Sequence, residues 1–157
     1  MKPRVYVETT IVSYLAARPS RDLIVAAHQQ LTAEWWTSRR LSFDLFTSEF
    51  VLREASVGDE DMARKRLELL MGIPVLSITE SALGLASALI DKKAVPQRYA
   101  EDASHISMAT VHGLDYLMTW NCKHIANAQL QRSIGVICRN AGYEPPIICT
   151  PEELMGV

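Results

Sequence analysis

Paired cysteines are missing from this sequence, as are the usual marks of a membrane segment or a nucleotide-binding loop. Its three cysteines, Cys122, Cys138 and Cys149, form no CxxC pair. A zinc site needs more Cys or His at closer spacing, and an odd cysteine count without an export signal favours reduced thiols, mostly packing residues. No apolar run approaches the roughly 20 residues of a membrane span. The start, Met1-Lys2-Pro3-Arg4-Val5-Tyr6-Val7-Glu8, has two basic residues but neither the apolar stretch nor the small-residue cleavage site of a signal peptide. A cytosolic location is the expectation. No glycine-rich phosphate loop follows any strand-like run, which argues against nucleotide hydrolysis.

Excess positive charge is absent too: 16 Lys and Arg face 18 Asp and Glu, for a net charge of −2. Proteins that hold nucleic acid by broad phosphate neutralisation are usually basic. Any handling of RNA must therefore rest on local patches, such as Arg39-Arg40 or Arg64-Lys65-Arg66, and on a metal. The simpler reading of each run alone is a solvated helix face. There is no repeat, low-complexity tract or linker, and 157 residues with 48% hydrophobic and 22% charged suit one globular domain spanning 1–157.

Short β-prone runs alternate with helical stretches. Val5–Val7 reads as the first strand, followed by a helix from about Thr9 to Ala17. Asp22 is placed to cap a second helix with apolar positions Leu23, Ala26, Ala27, Leu31 and Trp35. Phe43–Thr47 reads as a strand, and Ser48 as the cap of a helix carrying Phe50, Val51 and Ala55. Glu60–Met71 is helical and stops at Gly72. Ile73–Ile78 is the third strand, with Pro74 near its start. Helices follow from Thr79 to before Pro96 and from Ala100 to His112, then a fourth strand at Asp115–Thr119. The last third predicts short helices near Lys123–Ala128 and Ile134–Ala141, and a strand at Ile147–Cys149 after Pro145-Pro146. Such alternation without hairpin signals predicts an α/β fold, a parallel sheet of four to five strands flanked by helices.

In such sheets ligands collect beyond the carboxyl ends of the strands. Three predicted strands end there in polar residues: Glu8-Thr9-Thr10, Thr47-Ser48-Glu49 and Thr119-Trp120-Asn121. Glu54 and Asp102 lie on helices that can face the same edge. Each has a plain alternative: Glu8 as a first-turn acid favoured by the helix dipole, Glu54 as a surface acid paired with an arginine, Asp102 as a cap, Asn121 as a turn cap. Together, carboxylates and an amide carbonyl suit Mg²⁺ or Mn²⁺ and suit zinc or copper poorly. A cation held by such a cluster lowers the pKa of a coordinated water and neutralises phosphoryl charge, the chemistry of phosphodiester hydrolysis.

The order and spacing of Val5-Tyr6-Val7-Glu8-Thr9-Thr10, Ser48-Glu49-Phe50-Val51-Leu52-Arg53-Glu54, Asp102-Ala103-Ser104-His105-Ile106, Leu117-Met118-Thr119-Trp120-Asn121 and the closing Ile147–Leu154 resemble the PIN-domain superfamily. Within it, the sequence is similar to the VapC-like toxin ribonucleases of toxin–antitoxin modules. The resemblance implies metal-ligand roles for Glu8, Glu54 and Asp102, with Asn121 where many members carry a fourth acid. It implies that Thr9 and Thr119 orient the acids or the water. It further implies Mg²⁺-dependent endonucleolytic cleavage of RNA that leaves a 5′-phosphate, and homodimer and antitoxin surfaces on the early helices. Glu8 departs from the family's aspartate by one methylene, and Asn121 removes a charge.

Those departures support a rival, a catalytically degenerate PIN domain serving as an RNA-binding or protein-interaction module. An α/β phosphatase with one carboxylate nucleophile is disfavoured, because no second aspartate stands two positions after Glu8. His105 shares a helix face with Glu101 and Asp102, where it could bond a site carboxylate, and a helix histidine of this kind is more often structural. His124, three residues after Asn121, is in reach of a substrate phosphate. Trp35 and Trp36 point about 100° apart on a helix, so at most one is expected to face the core.

Overall fold

The computed structural model describes residues Met1–Val157. Five strands, β1 (Arg4–Val7), β2 (Asp44–Ser48), β3 (Val75–Leu76), β4 (Tyr116–Met118) and β5 (Ile147–Cys149), form one sheet in the order β3-β2-β1-β4-β5. All neighbouring pairs are parallel. Parallel pairing requires crossovers, and seven helices supply them: α1 (Thr9–Ala16), α2 (Leu23–Ser38), α3 (Glu49–Ala55), α4 (Glu60–Leu70), α5 (Glu80–Asp91), α6 (Ala100–Val111) and α7 (Ala128–Asn140). No helix is long and apolar enough to cross a membrane.

The chain starts in the middle of the sheet. Val5, Tyr6 and Val7 are fully buried, as a central strand covered on both faces demands. From β1 the sheet grows first toward β3, then back across β1 to β4 and β5. Strand order therefore reverses between β1 and β4, and the crevice of such a sheet opens beyond their carboxyl ends.

Local signals position most of the elements. Asp22 accepts hydrogen bonds from the Ile24 and Val25 N–H groups, Ser48 from Val51 and Thr79 from Ala82, each satisfying free amides at a helix start. Three expectations need correction. The third strand shortens to Val75–Leu76, since Pro74 has no N–H to give and offers only its carbonyl to Thr47 N, at 2.9 Å. No helix forms at 123–128. The Asn121 carbonyl instead takes the Ile125 and Ala126 N–H groups (3.2 and 2.8 Å), and the Asn127 side chain caps an α7 that begins at Ala128.

The third correction concerns the tryptophans, both of which are buried. Trp35 sits in the core and donates through Nε1 to the Leu154 carbonyl at 3.2 Å. Trp36 is covered from the outside by the Arg40 guanidinium, 4.3 Å from its ring centroid. At the other end of α2, Leu23 and Ile24 are 87% and 68% exposed, so the predicted apolar face of that helix is not fully used within the chain.

Trp35 ties α2 to the C-terminal turn and belongs to one contiguous core cluster of 33 residues. Trp35→Ala is expected to destabilise the chain by about 3–5 kcal/mol, the usual range for truncating a core aromatic. The measurement is a lowered urea midpoint at unchanged m-value. A loss near zero would mean that the C-terminal turn does not depend on this ring.

Candidate metal centre at the carboxyl edge of the sheet

Glu8 follows β1 directly and extends it, its N–H bonding to the Met118 carbonyl at 3.2 Å. It occupies the cap position of α1, yet its side chain caps nothing and turns inward, leaving the residue 4% exposed. Two hydroxyls meet it there. Thr10 Oγ1 and Thr119 Oγ1 each donate to Glu8 Oε1 at 2.5 Å. Both hydroxyls are themselves placed by backbone: Trp120 N–H donates to Thr10 Oγ1 (2.8 Å) and Asn121 N–H to Thr119 Oγ1 (2.9 Å). The acid at the end of β1 is thus locked to the end of β4.

Glu54 arrives from the last turn of α3, which Ser48 starts at the end of β2. Its Oε1 accepts from Thr9 Oγ1 at 2.5 Å and pairs with His105 Nε2 at 2.6 Å. Thr9 and Thr10 open α1 and point about 100° apart, so one hydroxyl reaches Glu54 and the other Glu8. No arginine pairs with Glu54. Its ionic partner is His105, fully buried on α6.

Behind His105 runs a chain of hydrogen bonds. Nδ1 lies 2.7 Å from Tyr6 Oη, which lies 2.7 Å from Ser48 Oγ. With Nε2–H donating to the Glu54 carboxylate, Nδ1 accepts from the Tyr6 phenol when the imidazole is neutral and donates to the phenol oxygen when it is protonated. Burial drives the Tyr6 phenol well above its ordinary pKa, so it stays a donor. The sequence reading of His105 as structural therefore covers only part of its situation, because it also fixes the orientation of a candidate acid. Tyr6 was the available signal, a lone polar-tipped ring in an apolar strand, and a buried Tyr hydroxyl usually has a partner. Thr10 was missed because spacing alone does not say which of two adjacent hydroxyls faces which acid.

Asp102 and Asn121 form a second pair. Asn121 Nδ2 donates to Asp102 Oδ1 at 3.1 Å, while its Oδ1 accepts the His124 N–H at 3.0 Å. Asn121 thus turns a donor toward Asp102, and its oxygen, the atom expected to serve as a ligand, is engaged by the loop. Asp102 stands in the first turn of α6 without capping it.

Charge accumulates at this edge. Ligand atoms of Glu8, Glu54 and His105 all lie within 4.8 Å of one another. Burial raises the Asp102 pKa above the ordinary carboxylate value, although His105, His124 and Asn121 pull it down. The Glu54 charge holds Glu101 above its ordinary value. Burial works against the Glu54 carboxylate as well, but its bonds from His105 and Thr9 prevail and keep its pKa low. Burial disfavours a charged His105, yet Glu54 and the neighbouring carboxylates raise its pKa overall.

The donor set fits a hard divalent cation. Both hydrogen bonds to Glu8 fall on Oε1, both ring nitrogens of His105 are hydrogen-bonded, and no Lys or Arg forms an ion pair with Glu8, Glu54 or Asp102. Oxygen donors of this kind suit Mg²⁺ or Mn²⁺.

These shifts set a pH dependence for the metal-free protein. His105, Glu101 and Asp102 have raised folded values, so each contributes stability that is full below its unfolded value and lost as pH rises through the folded one. Glu54 has the opposite sign, its contribution fading as pH falls through its lowered value. The ordinary His value lies at about 6.5, so the contribution of the raised His105 is lost above it. The thermal midpoint in EDTA is expected to fall as pH is raised from about 6.5 upward, and less steeply in Glu54→Gln. A midpoint that rises across that range contradicts the assignment.

No family model and no curated protein matches the chain. A structural match covers 94% of this chain and 98% of a chain in the crystal structure of VapBC2 from Rickettsia felis bound to a DNA fragment from their promoter, with a TM-score of 0.53 and 12% identity. At that identity the likeness is one of fold. Five parallel strands flanked by seven helices, matched over nearly the whole chain, give this protein the PIN-like α/β fold that its sequence resembles.

Proposed function

We propose that this chain is a metal-dependent endoribonuclease and the toxin member of a toxin–antitoxin pair. The observation that supports it most is the Glu8–Glu54 pair, two oriented carboxylates at the reversal point of the sheet with no basic side chain but His105 against them. Glu8, Glu54 and Asp102 are the residues that would hold Mg²⁺ or Mn²⁺. When bound, such a cation neutralises charge on a phosphoryl oxygen and lowers the pKa of water.

The chain's own groups prepare the site. Thr10 and Thr119 fix Glu8 through Oε1, which leaves Oε2 without a hydrogen bond from the chain. The added methylene relative to aspartate is absorbed by this inward turn. Thr9 and His105 hold Glu54 ionised. Asn121 orients Asp102 by donation, a positioning role in place of the ligand role that a fourth acid would have. Donors fixed before substrate arrives need no reorganisation during reaction.

A protein partner is part of the proposal. The matched structure is described as VapBC2 on promoter DNA, and the exposed Leu23 and Ile24 at the start of α2 are apolar surface suited to an antitoxin or a second copy. A second reading, a degenerate module that binds but does not cut, draws support from Asn121, which leaves the site one negative charge short of the family pattern.

RNA cleavage by the purified protein in Mg²⁺ or Mn²⁺ separates the two. Activity is expected to vanish in EDTA and to drop at least about a hundredfold in Glu54→Gln and in Asp102→Asn, as for loss of an oriented electrostatic group, with circular dichroism unchanged. Cleavage that survives in EDTA, or equal activity in both variants, sinks the nuclease reading.

A further inference from the structure

The basic runs singled out in the sequence have arginines engaged within the chain. Arg64 pairs with Asp61 at 2.9 Å, and Arg66 binds the Ala55 carbonyl at 3.0 Å. Arg40 lies over Trp36, before the amino end of β2. A different group of cations stands beside the candidate centre. Arg98 and Tyr99 belong to the 3-10 turn Gln97–Tyr99 that leads into α6, three residues before Asp102 in the case of Tyr99. Lys123 and His124 follow Asn121 in the loop after β4.

The two segments meet. The His124 ring stacks on Tyr99 with centroids 3.7 Å apart and planes at 26°, and the Arg98 guanidinium lies 5.0 Å from the Tyr99 centroid. His124 N–H bonds Asn121 Oδ1, whose Nδ2 bonds Asp102. An aromatic and cationic rim is thus joined to the acids through a single side chain. Tyr99 and His124 are half-buried, Arg98 and Lys123 exposed, and neither cation forms an ion pair with a carboxylate. The chain as a whole carries −2, so a polyanion approaching this acidic edge needs local positive charge.

We propose that Arg98, Tyr99, Lys123 and His124 form a subsite for single-stranded RNA, resting on the ribonuclease reading of the adjoining acids. The cations take phosphates flanking the one to be cut, and the Tyr99–His124 stack offers ring surface to an unpaired base. Stacking on aromatic rings with flanking Lys and Arg is how single strands are held with little sequence preference. The same geometry gives the loop 122–127 a second task, since moving His124 also moves Asn121.

The test is fluorescence anisotropy of a labelled, short single-stranded oligoribonucleotide, with Ca²⁺ replacing Mg²⁺ so that the strand stays intact. Tyr99→Leu is expected to weaken binding at least about fivefold, the low end for losing one stacked base, while Tyr99→Phe binds as the wild type does. Arg98→Ala with Lys123→Ala is expected to weaken binding and make the salt slope shallower by about 1.4, the value for two phosphate contacts to a single strand. Arg64→Ala with Lys65→Ala serves as a control and leaves binding unchanged. Wild-type affinity and salt slope in both rim variants, in a protein that cuts RNA, overturn the subsite and spare the nuclease. Rim-dependent binding by a protein that never cuts in Mg²⁺ supports the subsite and removes the nuclease. A wild-type chain that does not bind RNA overturns both.

Discussion

Two carboxylates with ligand atoms less than 5 Å apart, one of them nearly buried, repel each other when both are charged. Much of the polar architecture around the carboxyl edge offsets that repulsion. Each acid receives two donors on Oε1, hydroxyls for Glu8 and a hydroxyl with an imidazole for Glu54. The donors come from α1, from the end of β4 and from α6. The acids can therefore stay together only if the sheet order and the helix starts hold. Removing one donor takes a charge-assisted hydrogen bond from a carboxylate, worth about 1.5–3 kcal/mol.

His105 links this edge to the core. Its ring is fully buried, meets Tyr6 edge-on at 5.8 Å between centroids, and passes the hydrogen-bond chain to Ser48, which also caps α3. The helix that delivers Glu54 and the side chain that orients Glu54 thus share one network. A fully satisfied buried network of this kind rigidifies the groups it holds, which is what a preorganised site requires.

Much of this was legible in the sequence, for reasons tied to particular residues. Val5–Val7 reads as a buried strand because its neighbours are β-prone and apolar, and Asp22, Ser48 and Thr79 mark helix starts because their short side chains satisfy free amides. The alternation of strands and helices carried the parallel sheet, the strand ends placed Glu8 and Asn121 at its edge with Glu54 and Asp102 on helices facing it, and the resemblance to PIN domains added the metal-ligand roles. Pairwise partners were not legible. Helical spacing puts His105 on the face of Asp102, but only the packing of α6 against α3 and β1 delivers it to Glu54 and Tyr6. The burial of Trp36 depends on Arg40 folding over it, which no periodicity encodes. The short helix expected at 123–128 gives way because the Asn121 carbonyl and the Asn127 cap satisfy the same backbone groups in a turn.

The central claim is that the oriented acids exist to hold a divalent cation. Mn²⁺ binding followed by calorimetry, on the wild type beside Glu8→Gln and Glu54→Gln, tests it most directly. The account predicts saturable binding by the wild type and a loss of at least about tenfold in each variant, in line with the charge and ligand lost from a hard-cation site. Equal affinity in all three proteins, or no saturable binding in any, would contradict it.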